Sequence, residues 1–524
     1  MMRLNMYFFL LPFFVFVKIV KTDYFTSVVG LEKLLHSKIE VVKAIEDYLT
    51  AEEDRLRMIK FKKEEFRTFI EKAAPNWEEF LQNPVNAYLL VKRLNIDWKN
   101  LEQLMINSRN DDSIDILKKK IRFPDDDDLA GAAEGLVRLQ KMYKLNTSSL
   151  ADGYILNKFS SQKLTADDCF EVGRHSYSVG DFYYTCLWMR EALRRLDSEI
   201  TKSTNREELL ELLAYSTYMK GDIEEALKYT LQLLEIAPEN PRAQNNKQYF
   251  EVLLLKDEIQ STKKIEENLV CDSEYEKYQK LTEKLCRGEK NLSIEEQSKL
   301  KCRLFTNNDG YLILQPLKEE ELYLRPRIVV YHDFMTETEM ETIKRLAKPN
   351  LKRAAVTSRD ERGEEFSNTR ISKSAWLKDS DHSIVDKLSF RIQCATGLSL
   401  LTAEELQVLN YGIGGHYEAH FDYSREDEAI NKLTKYYGDR VATWLNYMSD
   451  VEAGGATVFP EIGISVQPEK GSSLLWYNLH SNGTGDYRTR HAACPVLLGS
   501  KWVSNKWIRE RGQEFRRPCS LNNE

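Results

Sequence analysis

Apolar residues between Leu31 and Phe66 recur at helical spacing in a charged background, and Leu35, Val42, Leu49 and Leu56 step by seven. Ile45, Ile59 and Phe66 fill part of a second seam, which Lys38 and Glu52 interrupt. The pattern predicts a long helix that pairs with another helix, either across a dimer or within its own domain. Helical spacing continues to about Leu145, broken by the acidic run Asp125–Asp128, which reads as a solvated loop rather than a metal site. After Pro326 the texture changes to short β-like runs: RIVVYHDF, ELQVLNYG, VATWLNYMSD, SSLLWYNL and KWVSNKWI. Gly and Pro separate them, as in an antiparallel barrel or jelly roll.

An internal repeat lies between about Leu164 and Leu255. GDFYYTCLWMREAL from Gly180 aligns without gaps on GDIEEALKYTLQLL from Gly221, and a helical segment precedes and follows each Gly-Asp turn. Pro238 falls where tetratricopeptide repeats commonly end. The offset exceeds the roughly 34 residues usual for such repeats, which predicts a longer connection around Asp197 to Arg206. Aromatic residues are dense here, among them Tyr177, Phe182, Tyr183, Tyr184, Trp188, Tyr215, Tyr218, Tyr229 and Tyr249. Most aromatic side chains at helical spacing fill a core. Tyr215 and Tyr218, however, are three apart and share a helix face. Tyrosines along an exposed groove suit a polyproline II ligand, which offers proline rings for stacking and carbonyls for hydroxyl donors.

At 524 residues the chain exceeds one hydrophobic core, so three or more domains are expected. The textures divide it into a leader (1–22), a helical region (23–150), the repeat (160–256), a charged linker (257–324) and the strand-rich region (325–524). A formal net charge of -7 offers no broad cationic face, which argues against a nucleic-acid partner. In the leader, Arg3 precedes the apolar run Met6–Val17. About twelve apolar residues are too few to span a bilayer and suit a secretory signal core, and no other segment is apolar enough to cross a membrane. Secretion would place the eight cysteines in an oxidising compartment. Two local pairs stand out, Cys286 with Cys302 and Cys494 with Cys519, although spacing alone does not fix connectivity. Sequons at Asn146, Asn291 and Asn482 agree with a glycosylated, secreted chain.

The chemistry concentrates in YEAHFDY, Tyr417 to Tyr423. On an extended strand residues two apart point to one side, so His420 and Asp422 converge while Phe421 turns away. Among the eight histidines, His491 in TRHAACPV is the best third ligand. Two imidazoles and one carboxylate are the donor set of non-haem Fe(II) oxygenases. Lys501 follows ten residues after His491 and opens a strand. A cation there can pair with the far carboxylate of a bound diacid such as a 2-oxo acid.

NYGIGGHYEAHFDY, RVATWLNYMSDVEAGGATVFPEIG, the long segment from Trp476 to Cys519 and the earlier ISKSAWL resemble the catalytic domain of collagen prolyl 4-hydroxylase alpha subunits. FTSVVGLEKLL, NPVNAYLLVKRLNIDW and AAEGLVRLQKMYKLNT extend the resemblance over essentially the whole mature chain. It implies a multidomain α + β fold: an all-α N-terminal dimerisation region, a tetratricopeptide-like peptide-substrate-binding domain, and a C-terminal double-stranded β-helix (jelly-roll) dioxygenase domain. It makes His420, Asp422 and His491 the Fe(II) ligands and Lys501 the partner of the distal carboxylate of 2-oxoglutarate. By the same resemblance Tyr411 and Thr457 lend hydroxyls to that carboxylate, and Tyr215, Tyr218, Arg242, Asn246 and Tyr249 line the peptide groove. The cysteine pairs match the family's two disulfides.

Arg509 stands where family members often carry a histidine that assists 2-oxoglutarate handling, Leu212 replaces a groove tyrosine, and His416 and Ala419 replace Gln and Pro beside the metal motif. The activity implied is procollagen-proline 4-dioxygenase: proline in X-Pro-Gly repeats becomes 4-hydroxyproline, with Fe(II), 2-oxoglutarate, O2 and L-ascorbate as cofactors. The implied setting is the endoplasmic reticulum lumen, in an alpha2beta2 assembly with protein disulfide isomerase. The terminal SLNNE carries no retention signal, so retention is expected to depend on that partner. A hydroxylase of non-collagen secreted proteins stays open through Leu212 and Arg509. An inactive proline-rich-peptide-binding subunit is disfavoured, because the triad and Lys501 are all present.

Overall fold

The structure, a computed structural model, describes residues 28–106, 123–156, 158–159, 162–199, 204–260, 274–289, 292–354, 356–357, 364–365, 369–412, 414–424 and 432–521. The predicted leader, Cys271 and the sequon at Asn291 lie outside them. The chain divides into two compact units, Met1–Phe69 with Asn100–Asp111, and Ile70–Lys99 with Asp112–Glu524. In the first, the predicted long helix is α1, Val28–Ala73. Val42, Leu49 and Leu56 are exposed along it, so no described residue of the unit buries this part of the seven-residue stripe. An open stripe is what a helix that pairs with a second helix requires.

The second unit begins its functional part with α2, Asp126–Tyr143. Here the acidic run is a helix start rather than a loop. Asp125 caps the helix by accepting from the Asp128 backbone at 2.9 Å, and the Asp128 carboxylate accepts in return from the Asp125 backbone. Carboxylates in the first turn complement the positive end of the helix dipole.

The repeat folds as two helix pairs, α3 (Ala166–Ser178) with α4 (Phe182–Ser198) and α5 (Arg206–Met219) with α6 (Ile223–Ile236), followed by α7 (Pro241–Gln260). Gly180 and Gly221 take φ of 78° and 87°, the left-handed turn that glycine enters at no steric penalty. Asp181 and Asp222 then cap α4 and α6. The repeated Gly-Asp is thus a helix stop followed by a helix start. The aromatic residues divide as well. Trp188 and Tyr229 are core, whereas Tyr215 and Tyr249 remain exposed.

Helix α8 (Glu274–Cys286) precedes the strand-rich part. Its strands are β1 (Cys302–Phe305), β2 (Leu317–Tyr323), β3 (Ile328–His332), β4 (Lys352–Arg353), β5 (Lys373–Leu377), β6 (Leu406–Tyr411) and β7 (Tyr417–His420). They continue with β8 (Arg440–Tyr447), β9 (Thr457–Phe459), β10 (Ile464–Val466), β11 (Ser473–Tyr477), β12 (His491–Ala493) and β13 (Lys501–Arg509). A nine-stranded sheet runs β1-β2-β3-β11-β8-β13-β6-β5-β4, and a four-stranded sheet runs β7-β12-β9-β10. Strands β1 and β2 fall in the expected linker, so the sheet starts before the change of texture at Pro326.

Strand parity sorts the side chains of the large sheet. Val408 and Trp444 join Ile343 of helix α9 (Glu337–Ala347) and Leu388 of α10 (Ser383–Thr396) in one core. Leu409, Leu445 and Val503 point the other way and share a second core with Phe459 and Val466 of the small sheet. The central strands β6, β8 and β13 are buried on both faces, whereas the edge strands β1 and β4 are largely exposed, and the metal-binding motif sits within the second layer.

The cysteine pairing differs from the local pairs expected. Cys286 is bonded to Cys494, 208 residues away, while Cys302 and Cys519 are free and exposed. Helix α8 packs beside β9 and β10, which brings its last residue to the segment after β12. Cys286, Cys494, Val458 and Ala492 bury together in one small core. Cys302 instead opens β1 opposite Glu320.

Candidate active site

Antiparallel pairing of β7 with β12 sets His420 directly opposite His491. Asp422 follows two residues after His420, and the ligand atoms of all three lie within 4.8 Å of one another. The His420 and His491 Nε2 atoms are 3.7 and 3.6 Å from the Asp422 carboxylate. Each ring is aimed from behind: His420 Nδ1 meets the Glu418 carbonyl at 2.8 Å and His491 Nδ1 meets the Thr489 carbonyl at 2.9 Å. A carbonyl only accepts, so each Nδ1 carries the proton and each Nε2 offers its lone pair. The Asp422 Oδ2 accepts from the Thr443 hydroxyl at 2.6 Å. Tyr417 stacks on His420 with ring centroids 3.6 Å apart, and Trp476 lies 4.7 Å from His491.

Desolvation, followed by the nearby His491, pushes His420 down to about 3, so its imidazole is neutral near pH 7. Burial works against ionisation of Asp422, but His491, His420, Arg440 and the Thr443 hydroxyl outweigh it and hold the carboxyl at about 2. Two imidazole nitrogens and one carboxylate suit a divalent iron.

Beside the triad, β13 turns Lys501, Val503, Asn505 and Trp507 into the same pocket, and Tyr411, Thr457 and Arg370 complete its walls. Lys501 is 1% exposed; its ammonium donates to the Gly455 carbonyl at 2.6 Å and has no carboxylate partner among the described residues. Burial lowers it to about 7. Tyr411 lies with its ring centroid 5.0 Å from that ammonium, and the Thr457 hydroxyl accepts from Tyr447 at 2.8 Å. Asn505 Oδ1, Trp476 Nε1 and Trp507 Nε1 are buried without hydrogen-bond partners. A buried cation and orphaned polar atoms facing one pocket fit an acidic, polar cosubstrate next to the metal.

Arg509 departs from expectation. It is 2% exposed, but its guanidinium reaches Glu404 at 2.6 Å, the Gly438 carbonyl at 2.9 Å and Thr434 at 3.1 Å rather than the cosubstrate pocket. Glu404 also takes a bidentate pair from Arg440 at 2.6 and 2.8 Å. Arg440 in turn donates to the Asp422 carbonyl at 3.3 Å and lies 3.8 Å over the Trp507 ring. Arg509 therefore braces the segment that carries a metal ligand. Arg370, Arg440, Glu404 and Thr443 had no sequence signal of their own, because each acts through a partner distant in the chain.

In the repeat, Tyr177 and Phe182 each lie 5.9 Å from Tyr215. Tyr215 is 6.5 Å from Tyr218, and Tyr218 is 5.8 Å from Tyr249, with their hydroxyls 3.1 Å apart. Arg242, Asn246 and Tyr249 fall on one face of α7 by their spacing, and Arg242 pairs with Glu211 at 2.7 Å. Leu212, one turn before Tyr215, is half-buried.

Comparison with known proteins agrees with this architecture. Residues 27–157 match the family described as prolyl 4-hydroxylase alpha-subunit, N-terminal region. Residues 166–256 match the prolyl 4-hydroxylase peptide-substrate-binding domain, and residues 406–509 match the 2OG-Fe(II) oxygenase superfamily. Prolyl 4-hydroxylase subunit alpha-1 of Homo sapiens is 44% identical over 515 residues, covering 95% of this chain and 96% of the relative. The Gallus gallus alpha-1 subunit is 44% identical over 512 residues, covering 96% and 99%. The Caenorhabditis elegans alpha-2 subunit is 42% identical over 514 residues, covering 96% and 94%. With a helical N-terminal region, a tyrosine-bearing repeat and a two-histidine, one-carboxylate oxygenase site in one chain, the protein belongs to the prolyl 4-hydroxylase alpha-subunit family.

Proposed function

We propose that the chain converts proline to 4-hydroxyproline in X-Pro-Gly segments of collagen-like peptides, with oxidative decarboxylation of 2-oxoglutarate to succinate and CO2. The enzyme class, a 2-oxoglutarate-dependent prolyl hydroxylase, follows from family membership. The observation that carries the residue assignment is Lys501: a buried cation without a carboxylate partner among the described residues, lining the pocket that also contains His420, Asp422 and His491.

Iron, 2-oxoglutarate and dioxygen together supply the oxidant that replaces a C–H hydrogen by hydroxyl. The chain's own contribution is position and environment. His420, Asp422 and His491 would hold the metal, their orientations fixed by the Glu418 and Thr489 carbonyls and the Thr443 hydroxyl. Lys501 would neutralise the distal carboxylate of 2-oxoglutarate, with Tyr411 and Thr457 beside it. Lys501 and Asp422 are buried, and the low local dielectric strengthens that pairing. Tyr215, Tyr218, Arg242, Asn246 and Tyr249 would hold the peptide in its polyproline II form, which unfolded collagen-like chains already sample.

Protein disulfide isomerase as a partner, ascorbate as reductant and the endoplasmic reticulum lumen as location complete the reading. The leader at 1–22, the sequons and the cysteines support it. Co-expression with protein disulfide isomerase, followed by assay of a Pro-Pro-Gly peptide with Fe(II), 2-oxoglutarate and ascorbate, should give succinate and 4-hydroxyproline in equal amounts. Succinate without hydroxyproline would remove the collagen-like peptide as substrate.

A further inference from the structure

A cavity of about 490 Å³ lies between α2, the C-terminal turn of α3, α8 and strands β7 and β12. It is distinct from the metal pocket, although Tyr417 and Ala493 line both. Its apolar walls include Val137, Met142, Ala492 and the bond between Cys286 and Cys494. Three buried nitrogens have no hydrogen-bond partner among the described residues: His175 Nε2, His416 Nδ1 and Arg490 Nε. All three residues line the cavity, and they come from three separate segments of the chain. His416 is 7% exposed. Buried polar atoms left unsatisfied are costly, so three around one cavity of this size mark a place for a ligand that supplies the missing bonds.

Arg490 decides the chemistry of that ligand. Its guanidinium lies 4.7 Å over the Tyr278 ring and 5.9 Å from the Phe421 ring, and no carboxylate pairs with it among the described residues. Ring contacts use the face of a guanidinium and leave its in-plane N–H groups for a planar carboxylate. The acids in the walls do not take that role. Glu134 is matched by Arg138 at 2.8 Å, and Asp181 caps α4. Glu418 and Lys141 are exposed, where solvent screens them, and Glu283 disfavours a second negative charge on the ligand. Burial lowers His175 and His416 from the usual imidazole value, so both rings are neutral near pH 7 and either can donate or accept.

We propose that this cavity is an accessory binding site for a small monocarboxylate with an apolar body, held by Arg490 and by hydrogen bonds to His175 and His416, apart from the pocket that takes the cosubstrate. A dianion such as 2-oxoglutarate would meet Glu283 without a second buried, unpaired cation, so the two pockets differ in the acids they accept. The occupant would touch Tyr417, whose ring stacks on His420, and Arg490, which precedes His491 in the chain. Binding here therefore reaches two metal ligands from outside their own pocket.

The test uses the full chain with its co-expressed partner. The probe is 4-(trifluoromethyl)benzoate, one carboxylate on an apolar ring, titrated and followed by fluorine NMR. A Kd of about 1 mM or tighter is expected, changed less than about threefold by saturating 2-oxoglutarate. Arg490→Met removes the cation and should weaken binding about tenfold or more. Val179→Trp puts bulk into the cavity at a residue that is 62% exposed and so outside the core, and should weaken binding about fivefold or more. Where Arg490→Met does not fold, Val179→Trp decides. Displacement of the probe by 2-oxoglutarate, wild-type affinity in either folded variant, or no binding at about 10 mM overturns the proposal.

Discussion

Replacing Lys501 by Met should weaken 2-oxoglutarate binding and, in the same protein, stabilise the ligand-free fold. The side chain is 1% exposed and holds one hydrogen bond, to the Gly455 carbonyl at 2.6 Å. Burial lowers its ammonium from 10.5 to about 7. Between those values the unfolded chain binds the proton and the folded chain does not, so stability rises with pH through that window; below about pH 7 the full burial penalty is present. At pH 7 the penalty is roughly 4 kcal/mol. Methionine fills a similar volume without charge, and the lost hydrogen bond costs about 1 kcal/mol, which leaves a net gain of roughly 2 to 3 kcal/mol. With 2-oxoglutarate bound the sign reverses. A buried carboxylate stripped of its cation costs about 3 to 5 kcal/mol, which raises the KM for 2-oxoglutarate roughly 150-fold to 5000-fold.

Thermal unfolding of both proteins without ligand, at pH 7 and near pH 10, checks the first half. The advantage of the variant should shrink at the higher pH, where the wild-type lysine is already neutral in the folded state. Succinate formation against 2-oxoglutarate concentration checks the second. An unchanged KM would remove Lys501 from the cosubstrate site whatever the stability result.

His491→Ala should abolish turnover while the full chain still binds a proline-rich peptide with affinity within about threefold of wild type, measured by calorimetry; near-normal activity would exclude His491 as a ligand. Arg509→Ala leaves Glu404 buried with Arg440 alone, so the strand-rich part should lose about 3 kcal/mol in denaturant unfolding, with the KM for 2-oxoglutarate changed less than about threefold. A large rise in KM at unchanged stability would return Arg509 to the cosubstrate pocket. Peptide mapping without reductant should recover one fragment pair joining Cys286 to Cys494. Recovery of Cys286 joined to Cys302 would refute that bond. Because the loop it closes is 208 residues long, Cys286→Ser should lower stability by up to about 5 kcal/mol.

What could be read from the sequence was what depends on neighbours in the chain. The spacing of His420 and Asp422 marked the pair, although β7 ends at His420 and Asp422 reaches the site from the bend beyond it. The repeated Gly-Asp marked both helix turns, because a left-handed glycine followed by a capping aspartate is a purely local device. The acidic run Asp125–Asp128 failed by the same logic. Its charge suggested solvent, whereas the spacing of Asp125 and Asp128 is that of a capping box, a local signal that outweighed composition.

Non-local pairings were out of reach for a different reason. Whether Cys286 meets Cys302 or Cys494 depends on where α8 docks, and docking is decided by a small apolar core with Val458 and Ala492 that spacing does not encode. Arg509 shows how a resemblance can mislead at a single position. It stands where family members often carry a histidine, which suggested a cosubstrate role. Yet Glu404 is buried beside it, and a carboxylate in that position needs more than the one guanidinium of Arg440. The second cation closes the network, and the network ends on the Asp422 carbonyl through Arg440. A histidine at position 509 is shorter and has no planar fork, so it could not make the same three contacts to Glu404, Gly438 and Thr434. Arg509 therefore supports the segment that carries Asp422 instead of lining the pocket beside the triad. Its effect should appear in the stability and geometry of the iron site before it appears in 2-oxoglutarate affinity.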